Sequence, residues 1–169
     1  MCSARDGGLT SAAKGRTIFR VETASTLQVH ASCVQIAAIG VLLCGPSGSG
    51  KSDLALRMIH TGAFLVADDR VDLFREDDDL VARCPAALAT LLEVRGVGIL
   101  RVPSVPEAAV ALAVDLAPGA AVDRLPEARY RDYLGKRVPL LTLDPFQISA
   151  AAQLAFAARA AASGDLFAR

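Results

Sequence analysis

Apolar and polar positions alternate along several short stretches of this chain, which is the pattern of half-buried β-strands. The alternation begins near residue 26, and the stretches are separated by glycine, proline or acidic residues. The predicted strands cover residues 27–31, 33–37, 40–44, 63–67, 71–75, 80–84, 110–116 and 138–143. The pair 71–75 and 80–84 flanks an acidic run and predicts a β-hairpin, and a turn is expected near 38–40.

Helical spacing is found in two places. Leu54 and Met58 fall on one face of a helix predicted for residues 53–60, and Gly62 is its expected C-terminal cap. The alanine-rich residues 148–162 predict a second helix. Because strands outnumber helices, the pattern predicts an α/β or α+β fold with its sheet around the glycine-rich stretch that begins at Gly45.

The remaining segments lack a clear period. Residues 1–25 are rich in small and polar residues and predict a flexible tail, which leaves one domain over residues 26–165. Residues 85–92 are compatible with a short helix, and residues 118–135 are predicted to form a polar loop.

Composition narrows the class of function. The 169 residues carry 18 basic and 18 acidic side chains and no Trp, which argues against a nucleic-acid binder. No apolar run reaches the roughly 18 residues of a membrane span, and no signal peptide is visible, so we expect a cytoplasmic protein. The 4 cysteines form no metal-binding spacing and are expected to be reduced thiols.

The strongest local motif is GPSGSGKS at residues 45–52, which fits the phosphate-binding pattern G-x-x-x-x-G-K-[ST] in full. An apolar strand is predicted before it and an amphipathic helix after it, as such a loop requires. The glycines let backbone N–H groups converge on phosphate oxygens. Lys51, one of only 3 lysines, supplies charge to the phosphates, and Ser52 offers a hydroxyl to Mg²⁺. The motif predicts a nucleoside triphosphate or at least a polyphosphate ligand, held by Gly45, Pro46, Ser47, Gly48, Ser49, Gly50, Lys51 and Ser52.

Two further stretches carry candidate chemistry. Asp68 and Asp69 directly follow an apolar strand, where one carboxylate could serve a metal and the other a substrate hydroxyl. Glu93 and Arg95 would lie on one face of a strand. Taken alone, Asp68 and Asp69 are better interpreted as a polar strand end, whereas Glu93 and Arg95 are equally compatible with a surface ion pair.

The order of these motifs resembles the catalytic domain of HPr kinase/phosphorylase. The resemblance covers roughly residues 27–143 and includes VH at 29–30, the loop 45–52, ADDRV at 67–71 and LEVRGVG at 92–98. The last motif is far more specific than the phosphate loop. That family phosphorylates a serine of HPr, the small phosphocarrier of the bacterial phosphotransferase system.

The resemblance implies roles for matching residues. ATP would bind the loop, with Mg²⁺ on Ser52 and Glu93. The catalytic residues would be His30, Lys51, Asp68, Asp69 and Arg124, with Asp69 as the acid/base. Arg124 matches a catalytic position of the family through its Asp-Arg-Leu context, although by itself it would be interpreted as a loop arginine. His30 by itself would be interpreted as a core or surface residue.

The chain also departs from the family pattern. Only about 25 residues precede the match, as in the short form of the family, and Asp53 stands where Glu is usual. LTLDPFQ at residues 141–147 replaces the basic loop associated with dephosphorylation, so the resemblance implies kinase activity rather than phosphorylase activity. The sequence does not decide whether this chain forms a homo-oligomer, as the long forms do.

We therefore predict a single P-loop domain of the α/β class, with a mixed central sheet and flanking helices like those of the HPr kinase C-terminal domain. It would act as an ATP- and Mg²⁺-dependent kinase of an HPr-like phosphocarrier protein. A P-loop kinase of a small metabolite and a regulatory module that binds ATP without transfer are the alternatives. The presence of His30, Asp69 and Arg124 argues against the regulatory module, because a protein that only binds ATP needs no catalytic base.

Overall fold

The computed structural model describes residues 26–85, 90–121 and 123–168. The predicted tail at 1–25 lies outside these residues. The strands in chain order are β1 (Thr26–Val29), β2 (Ala31–Ile36), β3 (Ile39–Cys44), β4 (Phe64–Ala67), β5 (Val71–Glu76), β6 (Asp79–Arg83), β7 (Leu91–Val94), β8 (Gly98–Arg101), β9 (Glu107–Leu116), β10 (Tyr130–Tyr133) and β11 (Lys136–Leu143). The helices are α1 (Lys51–His60) and α2 (Ala150–Ser163).

The predicted mixed sheet is confirmed. Nine strands form one sheet with the main order β1-β5-β6-β9-β3-β2-β4, and β11 pairs with both β9 and β10. The long strand β9 lies at the centre and is parallel to β3 and β11 but antiparallel to β6. Strands β7 and β8 form a separate two-stranded hairpin.

Both helices pack on the same face of the sheet. Leu54 of α1 and Leu154 of α2 join one apolar cluster with Val41 and Leu43 of β3. The alternate residue Leu42 points to the other face, where β5, β6 and the β10–β11 hairpin close a second cluster. Strand β3 is therefore buried on both faces, which explains its continuous apolar sequence.

The β2–β3 turn is one residue earlier than the sequence predicts. Ala37 and Ala38 both have positive φ (49° and 66°), the geometry of a tight two-residue hairpin turn, although neither residue is glycine. The hairpin register from Ala31↔Cys44 to Ile36↔Ile39 enforces this turn.

Two other local predictions need correction. The prediction of a short helix over 85–92 is wrong for its last two residues, because Leu91 and Leu92 belong to β7. Residues 86–89 of that predicted helix lie outside the described residues. The loop expected over 118–135 contains β10, which is a strand only because Tyr130–Tyr133 pairs with β11. In both cases pairing between strands overrides a weak local signal. Neither α1 nor α2 is long and apolar enough to cross a membrane, so the described part of the chain offers no spanning helix.

Candidate functional site

A cleft of about 630 Å³ opens at the edge of the sheet where the carboxyl ends of β3 and β4 meet. The phosphate loop follows β3, and Asp68 and Asp69 follow β4. His30 lies beside them because β2 is antiparallel to β3 and so begins at the same edge. Ligands of open α/β sheets bind at such an edge.

The phosphate loop has the backbone that its glycines predict. Gly45, Gly48 and Gly50 have φ values of 153°, 81° and 89°, which side chains rarely allow. A Cβ on Gly45 would lie 2.5 Å from Ser49 Oγ, whereas one on Gly48 would meet nothing within 4 Å. Gly50 then starts α1, whose first turn has no side-chain cap. The first N–H groups of a helix have no acceptor within the helix, so this turn is suited to an anion.

Lys51 is the buried cation of the loop. The residue is only 7% exposed, and its Nζ donates to the carbonyl oxygens of Gly45 (2.9 Å) and Pro46 (3.0 Å). It also lies 3.3 Å from His30 Nε2. Because an ammonium group can only donate, Nε2 accepts, and the ring proton of His30 is assigned to Nδ1.

Asp68 is tied to the first turn of α1. The hydroxyl of Ser52 lies 3.1 Å and 3.0 Å from the two carboxylate oxygens of Asp68. The buried hydroxyl of Ser32 donates to Asp68 Oδ1 at 2.5 Å. A serine hydroxyl and an aspartate side by side at the end of a phosphate loop are the protein ligands that P-loop enzymes use for Mg²⁺.

Asp69 lies in a strained turn that directs its carboxylate away from that of Asp68. The N–H of Arg70 donates to the carbonyl oxygen of Asp68 at 2.8 Å, which closes a three-residue turn with φ of 66° at Asp69. Such turns are rare and cost free energy. His30 Nδ1 lies 3.1 Å from Asp69 Oδ1 and 2.9 Å from its carbonyl oxygen. A continuous chain of polar contacts thus runs from Asp69 through His30 to Lys51.

The β7–β8 hairpin forms the opposite wall of the cleft. Leu92 is fully buried against Ile59 of α1 and Leu65 of β4, which anchors the hairpin. The neighbouring residues Glu93 and Arg95 therefore line the cleft. The two residues do not share a strand face as expected, because β7 ends at Val94 and Arg95 lies in the turn that follows.

The charges of the cleft favour a cation accompanying a polyphosphate. Its lining contains four carboxylates and only two cationic side chains. The carboxylates belong to Asp53, Asp68, Asp69 and Glu93, and the cations are Lys51 and Arg95. Without a divalent cation, the carboxylates would repel phosphates. Within residues 26–85, 90–121 and 123–168, no group of three or more His, Cys, Asp or Glu side chains could hold a metal by itself. Phosphate oxygens would have to complete the coordination, as they do for Mg²⁺.

A polar cluster supports the base of the loop. Arg131 donates to both oxygens of Asp115, at 2.9 Å and 2.8 Å, and Asp115 is paired in register with Cys44. The Sγ of Cys44 lies 3.6 Å from the hydroxyl of Tyr133. Burial raises the pKa of Tyr133 to about 12 and also raises the pKa of Cys44. Both groups are therefore neutral at physiological pH, and the cluster is structural.

In the described part of the chain, five predicted site residues do not line the cleft: His30, Gly45, Pro46, Ser49 and Arg124. The first four belong to the phosphate loop or contact its lysine. The remaining one is Arg124. It lies in an exposed segment between β9 and β10 and is absent from the lining. Conversely, sequence reasoning did not pair Asp68 with Ser52 and did not select Phe146, which lines the cleft. The phosphate motif could have suggested the first pairing, but no local signal marks Phe146.

Comparison with known proteins agrees with this geometry. Residues 21–162 match the family model described as HPr Serine kinase C-terminal domain. An HPr kinase/phosphorylase of Burkholderia lata is 41% identical over 144 residues, which is 79% of this chain and 44% of that protein. One from Lactiplantibacillus plantarum is 49% identical over 75 residues, covering 44% of this chain and 24% of the relative. The chain thus spans less than half the length of these curated relatives.

A solved structure has the same fold. It is described as the Hpr(Ser) kinase/phosphatase from Coxiella burnetii and superposes with a TM-score of 0.72 at 28% identity. The match covers 82% of this chain and 97% of that one.

Proposed function

Because the chain belongs to the HPr serine kinase C-terminal domain family, we propose that it transfers the γ-phosphoryl group of ATP to a serine of an HPr-like phosphocarrier protein. The observation that carries the proposal is the position of Asp69. Its carboxylate, oriented by His30, lines the same cleft as the phosphate loop. A base for the acceptor and a site for the donor are thus adjacent, which a nucleotide sensor does not need.

The loop residues would hold the triphosphate. The backbone N–H groups at the start of α1 and the ammonium of Lys51 would face its oxygens, and the contacts of Nζ with Gly45 and Pro46 keep that charge at the loop. Ser52 and Asp68 would hold Mg²⁺ between them. When bound, the ion would neutralise charge on the β- and γ-phosphates. Glu93, in β7, lines the same cleft and would be a further residue on the metal side.

Asp69 would accept the proton of the serine hydroxyl as its oxygen attacks the γ-phosphorus. The bond from that phosphorus to the β,γ-bridging oxygen breaks, and ADP leaves. His30 donates from Nδ1 to Asp69 and so fixes the position of the carboxylate that would accept this proton. The protein contributes positioning and charge stabilisation rather than a covalent intermediate.

The same geometry supports transfer in the kinase direction. The segment between β11 and α2, residues 144–149, has the sequence DPFQIS and contains no basic residue to bind a phosphoserine. We therefore do not assign phosphorylase activity to the chain.

The experiment is incubation of the purified full chain with Mg-ATP and HPr-like carriers from its host. Mass spectrometry should find a single phosphoserine on the carrier. A parallel screen of small hydroxyl compounds, without any protein acceptor, should show no ADP release above background. An unmodified carrier would overturn the proposal, and ADP release with a small acceptor would favour a metabolite kinase.

A further inference from the structure

An exposed aromatic side chain stands at the mouth of the cleft. Phe146, in the segment between β11 and α2, is 58% exposed although it is large and apolar. Among the described side chains that line the cleft, no other is aromatic. Leu56, Val94 and Ile99 line the same cavity, so an apolar wall accompanies the phosphate loop.

The segment that carries Phe146 is fastened to the helix of the phosphate loop. Arg57 of α1 donates through its guanidinium to the carbonyl oxygens of Pro145 and, at 3.3 Å, of Gln147. Asp53 holds the same guanidinium with a 3.1 Å hydrogen bond to Nε. Asp144 Oδ1 accepts the N–H of Phe146 at 3.0 Å. These contacts hold the backbone on both sides of the exposed ring.

The ring also touches the phosphate loop itself. A Cβ built on Gly50 would lie 3.2 Å from Phe146 Cζ and 3.1 Å from Pro145 Cγ. Lys51 Nζ lies among the Gly45 and Pro46 carbonyls and His30 instead. A triphosphate lying on the loop would therefore have the ammonium group and the exposed aromatic ring as two distinct neighbours.

We propose that Phe146 is the surface on which the nucleotide base stacks, and that Asp53 and Arg57 position it. The inference rests on the proposed use of ATP and adds the residue that recognises its base. Aromatic faces bind bases by stacking, and an unstacked, fastened ring exposed beside a phosphate site has that geometry. Removal of such a ring reduces affinity about tenfold.

The test compares two ligands by calorimetry on the full chain with Mg²⁺: ATP and inorganic tripolyphosphate. Phe146→Ala should weaken ATP binding about tenfold and leave tripolyphosphate binding unchanged. Phe156→Ala is the matched control, because Phe156 is 73% exposed on α2 and is absent from the cleft lining. It should alter neither affinity.

A second variant gives a spectroscopic readout. The chain has no Trp and 2 Tyr, so Phe146→Trp introduces a single Trp, which can be excited at wavelengths that tyrosine does not absorb. ATP should quench its emission, and tripolyphosphate should not. Adding Arg57→Ala in that background should lower the fluorescence anisotropy of the Trp, because the clamp on its backbone is lost.

The outcomes separate this inference from the proposed function. Unchanged ATP affinity in Phe146→Ala, or an equal loss for both ligands, would overturn the stacking role while leaving the phosphate site intact. A wild-type chain that binds neither ligand would overturn the proposed use of ATP and the stacking role with it. Unchanged anisotropy after Arg57→Ala would overturn the positioning role of Arg57.

Discussion

The imidazole of His30 bridges Asp69 and the phosphate-loop lysine, with Nδ1 3.1 Å from Asp69 Oδ1 and Nε2 3.3 Å from Lys51 Nζ. The two ring nitrogens thus connect the proposed base to the proposed phosphate ligand. The bridge exists because β1 ends and β2 begins at the edge where β4 delivers Asp69.

Replacing the carboxylate of Asp69 should abolish transfer without abolishing nucleotide binding. An amide cannot accept the serine proton, so we expect Asp69→Asn to lower the transfer rate by about 10²- to 10⁴-fold. Calorimetry should give a nearly unchanged ATP affinity. Asp72→Asn serves as the control, because Asp72 is half-buried in β5, accepts a hydrogen bond from Gln28 and does not line the cleft; this variant should transfer at the wild-type rate. Full turnover by Asp69→Asn would remove Asp69 from the mechanism.

The two histidines of the chain allow a matched comparison. His30→Ala breaks the contacts to Asp69 and Lys51 and should lower kcat for transfer at least tenfold, with a smaller effect on KM for ATP. His60→Ala changes an exposed residue at the end of α1 and should behave as wild type. Steady-state kinetics with the phosphocarrier would check both, and equal kcat values for the two variants would contradict the assignment.

Asp68 should control the response to magnesium more strongly than Glu93 does. Ser52 contacts both oxygens of Asp68, so Asp68→Asn removes the charge beside the hydroxyl. We expect ATP affinity in this variant to become nearly the same with Mg²⁺ and with EDTA. Glu93→Gln, with its carboxylate on the opposite wall, should retain more of the Mg²⁺ effect. Titrations with and without metal measure this, and the reverse order would assign the ion to Glu93.

Two glycines separate backbone strain from steric contact. Gly50 and Gly62 both have positive φ, 89° and 102°, so alanine costs about 1 kcal/mol at either position. Only at Gly50 would the added Cβ press on Pro145 and Phe146. Gly50→Ala should therefore lower the free energy of unfolding more than Gly62→Ala in urea titrations, and should also weaken ATP binding. Equal destabilisation would mean that the 144–147 segment moves freely.

The thiol of Cys33 should make stability depend on alkaline pH. Its residue is fully buried in β2, and burial raises its pKa well above the ordinary value of 9.0. Above about pH 9 the unfolded thiol releases its proton while the folded one keeps it, so stability falls as pH rises, by up to about 1.4 kcal/mol per pH unit. Cys33→Ala removes this contribution. Urea titrations at pH 8 and 10 should show a smaller loss in the variant than in the wild type, and an equal loss would contradict it.

Local sequence determined much of the site, because the phosphate loop depends on residues close in the chain. Glycines at fixed intervals set the backbone of residues 45–52, and the apolar spacing after them sets α1. The hairpin of β5 and β6 follows from alternation on either side of an acidic turn. Contacts over a few residues need no knowledge of the sheet order, so such elements are visible in a single sequence.

Tertiary structure alone decided how these pieces meet. Strand β10 looked like a loop because its signal is the pairing with β11. The order of strands brings Asp68 to Ser52 and Asp69 to His30, across 16 and 39 positions of the chain. Phe146 reaches Gly50 because β11 lies parallel to β9, which is parallel to β3, so that all three end at one edge. Sequence spacing specifies which groups a chain carries, whereas strand order specifies which of them share a cleft.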